Sequence, residues 1–180
     1  CDPVGCVQPD GHPGDRVLLT NPPRVTVQLP LYNESRVAGR LIDAAAHIRW
    51  PASRIDIQVL DDSTDETKGI VSERVAFWRK RGRAIRVIRR SSRRGYKAGA
   101  LANGLRSARG QLIAVFDADF IPPPDFLEKT IPHFSDPGVG LVQTRWDFLN
   151  ADYSWLTRLQ ALLLSPHFCI AHSVRDRRRL

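Results

Sequence analysis

Short apolar runs alternate along the chain with longer stretches in which apolar positions recur every three or four residues. The runs Arg24–Leu29 (R-V-T-V-Q-L), Ile55–Leu60 (I-D-I-Q-V-L), Ala84–Ile88, Leu112–Phe116 and Val139–Thr144 predict strands. Pro30 is expected to stop the first of them. The turn Leu31-Tyr32-Asn33-Glu34-Ser35 then opens a helix that runs to about Trp50, closed by Pro51. Asn33 or Ser35 is its cap, Glu34 suits the positive helix end, and Val37, Leu41, Ile42 and Ile48 face inward. A second amphipathic helix spans Glu66–Arg81, carries Ile70, Val71, Val75, Phe77 and Trp78, and ends at Gly82. Ala98–Ala108 reads as a small-residue helix able to pack closely. Another starts at Pro124 or Asp125 and reaches about Phe134, and a last apolar one covers Tyr153 to about Val174, broken at Pro166.

Strands and helices alternating at this spacing imply an α/β fold with a mostly parallel sheet flanked by helices. The run at Leu112–Phe116 reads as a strand buried on both faces, and it leads straight into Asp117-Ala118-Asp119. Residues i and i+2 of an extended chain point the same way, so the two carboxylates converge. Held together they repel, and a cation belongs between or beside them. A hard divalent ion such as Mg²⁺ or Mn²⁺ suits two carboxylates, with water and phosphate oxygens completing its shell. The alternative is a solvated turn leading into the next helix.

In open parallel sheets ligands bind beyond the carboxyl ends of the strands. Those ends carry Tyr32, then Asp61 with Asp62, then the basic loop Ser91–Lys97, then Asp117 with Asp119. Four polar clusters thus fall on one rim. Neither G-x-G-x-x-G after the first strand nor G-x-x-x-x-G-K-[ST] occurs, so the usual phosphate cradles of dinucleotide enzymes and P-loop proteins are missing. Carboxylates and Lys97 instead suit a nucleoside diphosphate held through a metal. Lys97 supplies a point charge to the phosphates, Asp62 accepts from a base or ribose, and Tyr32 stacks on a base.

Composition sharpens the picture in two places. The net charge of +8 is concentrated: Arg79–Lys97 holds ten Lys/Arg and no acidic residue. Such a block suits a polyanion, or a solvated helix and loop. The loop's like charges (Arg90, Arg93, Arg94, Lys97) should keep it mobile until an anion arrives. Residues 1–23 are rich in Pro and Gly and read as a leader or linker, leaving 24–180 as one domain. Cys1, Cys6 and Cys169 form neither a disulfide framework nor a zinc spacing.

The order P-L-Y-N-E, V-L-D-D-S-T-D, G-Y-K-A-G-A-L, F-D-A-D-F and V-Q-T-R-W resembles the processive-type family 2 glycosyltransferases, which include cellulose-synthase-like, mannan-synthase-like and ceramide glucosyltransferase proteins. The resemblance covers about residues 24–180. It implies a GT-A fold, a UDP- or GDP-linked sugar donor, a divalent cation, a glycan or lipid acceptor and inversion to a β-glycosidic bond. Carried over by motif, Tyr32 and Asp62 hold the nucleobase with Asp61 and Glu34 beside them, and Lys97 contacts the diphosphate. Asp117 and Asp119 form the D-x-D that binds metal, Asp119 more directly. Gln143, Thr144, Arg145 and Trp146 lie toward the acceptor. The family's T-E-D base and its later Q-x-x-R-W segment have no counterpart here. The resemblance therefore implies a C-terminally truncated, nucleotide-binding portion of a membrane-embedded enzyme whose catalytic domain faces the cytoplasm. Its general base is expected downstream of Leu180, so the chain alone is expected to be inactive.

Tyr32 as a brace of its turn, Trp146 as core, and Asp65 as a helix cap stay open beside these roles. Two other function classes remain. A nucleic-acid-binding module would interleave aromatics with its basic residues, and only Tyr96 does so here. The expectation is therefore no nucleic-acid partner. A nucleotidyltransferase also sets paired aspartates on an α/β rim, but its Gly-rich basic loop after the first strand is absent.

Overall fold

The computed structural model describes residues 21–144. Four strands, β1 (Val25–Leu31), β2 (Ile55–Asp61), β3 (Ile85–Ile88) and β4 (Leu112–Val115), form one sheet in the order β3-β2-β1-β4. All three pairings are parallel. Helices α1 (Ser35–Ala46), α2 (Thr67–Lys80), α3 (Tyr96–Leu105) and the short α4 (Phe126–Thr130) connect and follow them. The chain divides into two compact units, and Arg16–Ser135 holds the whole sheet. The described part of the other unit, residues 136–144, contains no strand or helix.

The two central strands are buried on both faces, but the faces differ in chemistry. Val25, Val27, Leu29, Ile55, Ile57 and Val59 form the apolar core with Leu41, Ile42 and Ala45 of α1 and Val71 and Val75 of α2. Thr26, Gln28, Asp56 and Gln58 alternate with them and are equally buried. Each finds a partner: Thr26 Oγ1 donates to Asp56 Oδ1 at 3.0 Å, and Gln28 Nε2 donates to Gln58 Oε1 at 3.0 Å. Helix α3 sits over this polar pair. A Cβ at Gly104 would stand 2.6 Å from Gln28 Nε2 and 2.8 Å from Gln58 Oε1, so the close packing expected of this small-residue helix depends on that glycine. Trp78 Nε1 and Arg74 both reach Asp43, tying α2 to α1.

Several boundaries differ from expectation. Pro30 does not stop β1. Leu31 O accepts from Asp62 N on the β2 side, so residue 30 turns its nitrogen toward β4. There the ladder has already ended at Gln28↔Val115, and no N–H is needed. Helix α1 ends at Ala46, short of Trp50, with Ile48 still fully buried beyond it. Neither Asn33 nor Ser35 caps it by a side-chain hydrogen bond, and Val37 is only half-buried. Helix α4 gives way to a 3-10 turn at Ile131–Ser135, where Pro132 cannot supply the next helical N–H.

Strand β4 is not covered on both faces: Ile113 and Val115 are 38% and 43% exposed, and β4 pairs only with β1 among the described residues. Val139–Thr144 is not a strand. At the start of the described residues, Trp50 Nε1 donates to Pro23 O at 3.0 Å and Arg54 Nη2 to Asn21 Oδ1 at 2.9 Å. The expected helix from Tyr153 lies outside the described residues, as do Cys1, Cys6 and Cys169.

Candidate donor-binding site

The sheet's parallel register dictates which residues meet beyond the strand ends. β2 pairs with β3 through Leu60↔Ile88, so one step further sets Asp61 against Arg89, and two steps set Asp62 against Arg90. Both ion pairs form. Arg89 Nε donates to Asp61 Oδ2 at 2.8 Å, and Arg90 grips Asp62 with two nitrogens, Nε lying 3.0 Å from Oδ1. On the other side the β1–β4 ladder ends at Gln28↔Val115, and the segments that follow the two strands carry Tyr32 and Asp117 with Asp119.

The result is an open cavity of about 390 Å³ lined by Tyr32, Glu34, Asp62, Arg93, Lys97, Asp117 and Asp119 over a floor of Pro30, Leu31, Ala100 and Ala118. Six of the seven rim residues singled out for donor binding line it. The exception is Asp61, which is buried and turned away. Its Oδ1 accepts from Ser63 N at 3.0 Å and its Oδ2 from Arg89, so it shapes the turn without reaching the cavity.

The loops after β1 and β2 are laced together. Asn33, at φ 54°, donates its N–H to Ser63 Oγ at 3.0 Å and accepts from Thr64 N at 2.8 Å. Asn33 is thus a brace for the Tyr32 turn, where a helix cap was expected. Asp65 Oδ1 accepts from Thr67 N at 3.0 Å, while the N-cap position of α2 is held by Glu66 with no side-chain cap bond. Hydrogen bonding from Thr67 holds the Asp65 carboxyl below the usual carboxylate range.

The D-A-D segment is a turn, not an extended strand end. β4 stops at Val115, and Phe120 N donates to Asp117 O at 3.0 Å. Phe116 and Phe120 bracket the turn, their rings stacked with centroids 5.5 Å apart, and Phe126 meets Phe116 edge-on at 4.8 Å. Both carboxylates still face the one cavity. The charged neighbour that the structure shows is Lys97, whose Nζ is paired with Asp117. Lys97 lies in the first turn of α3, because that helix starts at Tyr96 and takes in the end of the expected loop.

The basic block is not one solvated face. Arg86 bonds Ser107, Arg89 bonds Asp61, Arg90 bonds Asp62, Arg93 lies on Tyr32, and Lys97 pairs with Asp117. Arg90 also donates to Arg94 O at 2.9 Å and Tyr96 O at 3.0 Å, two bonds within the like-charged loop. Its hydrogen bonds to Asp62 push the Arg90 guanidinium pKa up. Sequence reasoning left Arg89 unnamed, read Arg90 and Arg93 only as like charges of a loop, and read Asn33 only as a helix cap. The signal for Arg89 and Arg90 was present as two acids after β2 and two arginines after its neighbour.

Gly99 is where α3 meets this loop. A Cβ there would collide with Arg94 O and stand 2.6 Å from Arg90 Nη1. Gly99→Ala is expected to cost about 1–3 kcal/mol by overpacking and to weaken nucleotide binding. Chemical denaturation of the two proteins checks this, and equal midpoints would refute it.

Among the described residues no group of three or more His, Cys, Asp or Glu side chains gathers at one point. Asp117 and Asp119 alone fit a hard cation that takes one or two carboxylates and completes its shell with water and phosphate oxygens. Gln143 is exposed and Thr144 half-buried in the other unit, while Arg145 and Trp146 lie outside the described residues. Among the described residues, no helix is long and apolar enough to cross a membrane.

A family model described as Glycosyl transferase family 2 matches residues 26–176. The chain is 48% identical over 157 residues to glucomannan 4-beta-mannosyltransferase 7 of Arabidopsis thaliana, covering 84% of this chain and 28% of that protein. It is 44% identical over 173 residues to probable glucomannan 4-beta-mannosyltransferase 6 of Oryza sativa subsp. japonica, covering 93% of this chain and 29% of that one. The chain therefore spans less than a third of the length of these curated relatives.

Among solved structures, the fold matches mannosyltransferase PcManGT from Pyrobaculum calidifontis, in complex with GDP-Man and Mn²⁺. That match has a TM-score of 0.61 and 33% identity, covering 73% of this chain and 39% of that one. It also matches glucosyl-3-phosphoglycerate synthase from Mycobacterium tuberculosis with Mn²⁺ and UDP, at a TM-score of 0.56 and 23% identity, over 82% of this chain and 53% of that one. The fold is that of the GT-A glycosyltransferases.

Proposed function

The chain belongs to glycosyl transferase family 2, and from that premise we propose that it forms the donor-binding part of a mannosyltransferase. Its donor is GDP-mannose, its acceptor a β-linked mannan or glucomannan, and transfer proceeds with inversion. The observation that carries this reading is the single cavity shared by Tyr32, Asp62, Lys97, Asp117 and Asp119. The choice of GDP-mannose is supported by the curated relatives, named as glucomannan mannosyltransferases, and by the solved mannosyltransferase with GDP-Man and Mn²⁺. On family resemblance alone, residues 24–180 are assigned to one GT-A domain and Gln143, Thr144, Arg145 and Trp146 to its acceptor side. The whole protein is membrane-embedded with this domain in the cytoplasm, a reading that rests on family resemblance alone.

Each residue's part follows from its surroundings. Asp62, fixed by two bonds from Arg90, presents an oriented acceptor to the base or ribose. Tyr32 offers a ring face. Glu34 sits on the cavity wall at the start of α1, beside the nucleoside end. Asp119 and Asp117 would hold the divalent cation, which when bound supplies charge against the departing diphosphate. Lys97 is already poised next to Asp117 and neutralises the same phosphates as a point charge. None of these carboxylates is assigned as the base that deprotonates the acceptor hydroxyl.

Competition among GDP-mannose, UDP-glucose and UDP-N-acetylglucosamine in Mn²⁺ tests the donor. GDP-mannose should bind about tenfold tighter or more, since a site that hydrogen-bonds one base leaves polar groups unpaired on another. Preference for either UDP-sugar would contradict the mannosyl assignment.

A further inference from the structure

Arg93 is the one cavity-lining cation with no ion pair among the described residues: Lys97 is matched by Asp117, and the carboxylate of Asp62 is taken by Arg90. Its guanidinium carbon lies 3.2 Å from the centroid of the Tyr32 ring and 5.0 Å from that of Tyr96. Both rings are exposed, at 38% and 68%. The cation thus covers the very ring face that the donor reading gives to the base.

The backbone around Arg93 is hydrogen-bonded, while its side chain makes no hydrogen bond or ion pair among the described residues and rests only on aromatic rings. Arg93 O accepts from Tyr96 N at 2.9 Å, and Arg90 holds the carbonyls of Arg94 and Tyr96. A long side chain on an anchored exposed loop can change rotamer without moving the loop. A cation over an exposed ring is held weakly, whereas an arginine on a phosphate makes charge-assisted, often bidentate hydrogen bonds.

We propose that Arg93 is a donor-binding residue that rests on Tyr32 in the free protein and transfers to the diphosphate when a nucleoside diphosphate enters. One rotation then does two things: it uncovers Tyr32 for stacking, and it adds a second cation to Lys97 on the leaving group. Lys97 stays next to Asp117, so the diphosphate meets two cations of the same cavity. This inference rests on the donor-site reading and goes beyond it by assigning a residue and a movement.

The test compares the full chain with its Arg93→Ala and Arg93→Lys variants. GDP is titrated in Mn²⁺ by calorimetry, and guanosine, which lacks phosphate, by NMR. Arg93 is exposed, so thermal melts should match and unfolding does not confound the result. Arg93→Ala should weaken GDP about tenfold or more, in line with loss of a charged hydrogen bond, while guanosine binds as well or better because Tyr32 is open. Arg93→Lys, keeping charge but not the planar fork, should fall between.

Equal GDP affinity in wild type and Arg93→Ala overturns the inference alone. So does a loss of guanosine binding as large as that of GDP, which would make Arg93 a brace for the ring. A wild-type chain that binds neither GDP nor UDP overturns the donor-site reading, and this inference with it.

Discussion

Asp119→Asn is expected to reduce Mn²⁺-dependent GDP binding by at least about 100-fold, beyond the loss typical of residues that only support a metal ligand. The two carboxylates of the turn are not equivalent. Asp117 is engaged by Lys97, whereas Asp119 is in no ion pair among the described residues and is exposed to the cavity. Asparagine keeps the shape of the side chain and removes its charge. The turn itself should survive, because Phe116, Phe120 and Phe126 hold it from the core side. The variant should therefore melt like wild type and still bind GDP weakly in EDTA. Calorimetry with and without Mn²⁺ checks both statements. Undiminished Mn²⁺ dependence in Asp119→Asn would remove Asp119 from the metal site.

Arg90→Ala is expected to be the most destabilising single change at the rim, at about 3 kcal/mol, the low end of the range for breaking a buried pair. The side chains of Arg90 and Asp62 are only 12% and 6% exposed. Removing the guanidinium leaves a nearly buried carboxylate unpaired and frees the carbonyls of Arg94 and Tyr96. The loop carrying Arg93, and the first turn of α3 with Lys97, then lose their anchor. The double variant Arg90→Ala with Asp62→Asn separates the two effects. It should recover much of the stability, since no charge is stranded, but not nucleotide binding, since the acceptor and the anchored loop are both gone. Urea denaturation reads the first and calorimetry the second. If Arg90→Ala alone were as stable as wild type, the pair would be no more than a surface contact.

Much of this was legible in the sequence because parallel α/β folds separate scaffold from site so cleanly. The apolar runs placed all four strands of the observed sheet, and their polar ends placed the rim. Tyr32, Asp62, Lys97, Asp117 and Asp119 follow from that without any side-chain geometry. What periodicity could not supply was lateral order. Only after β3 is known to lie beside β2 do Arg89 and Arg90 become the partners of Asp61 and Asp62. Without it, ten cations in a row look like one solvated face.

The same gap explains Asp61: one residue's difference along β2 turns its side chain away from the cavity, toward Ser63 and Arg89. Pro30 misled for a related reason, since whether a proline breaks a strand depends on whether a neighbour needs its N–H. The run before Asp117 suggested two covered faces, yet β4 leaves Ile113 and Val115 exposed, because apolar composition alone does not say what lies alongside. The D-A-D geometry was reached by a wrong route, as an extended strand end, although the turn delivers both carboxylates to the same place.

The central claim is that this rim is a cation-dependent site for a nucleoside-diphosphate sugar. Titration of GDP-mannose into the chain, in Mn²⁺ and again in EDTA, tests it most directly. The account predicts saturable one-to-one binding in Mn²⁺ that weakens by at least about 100-fold when the ion is removed, as far as Asp119→Asn weakens it. Equal affinity in the two buffers, or no binding in either, would contradict it.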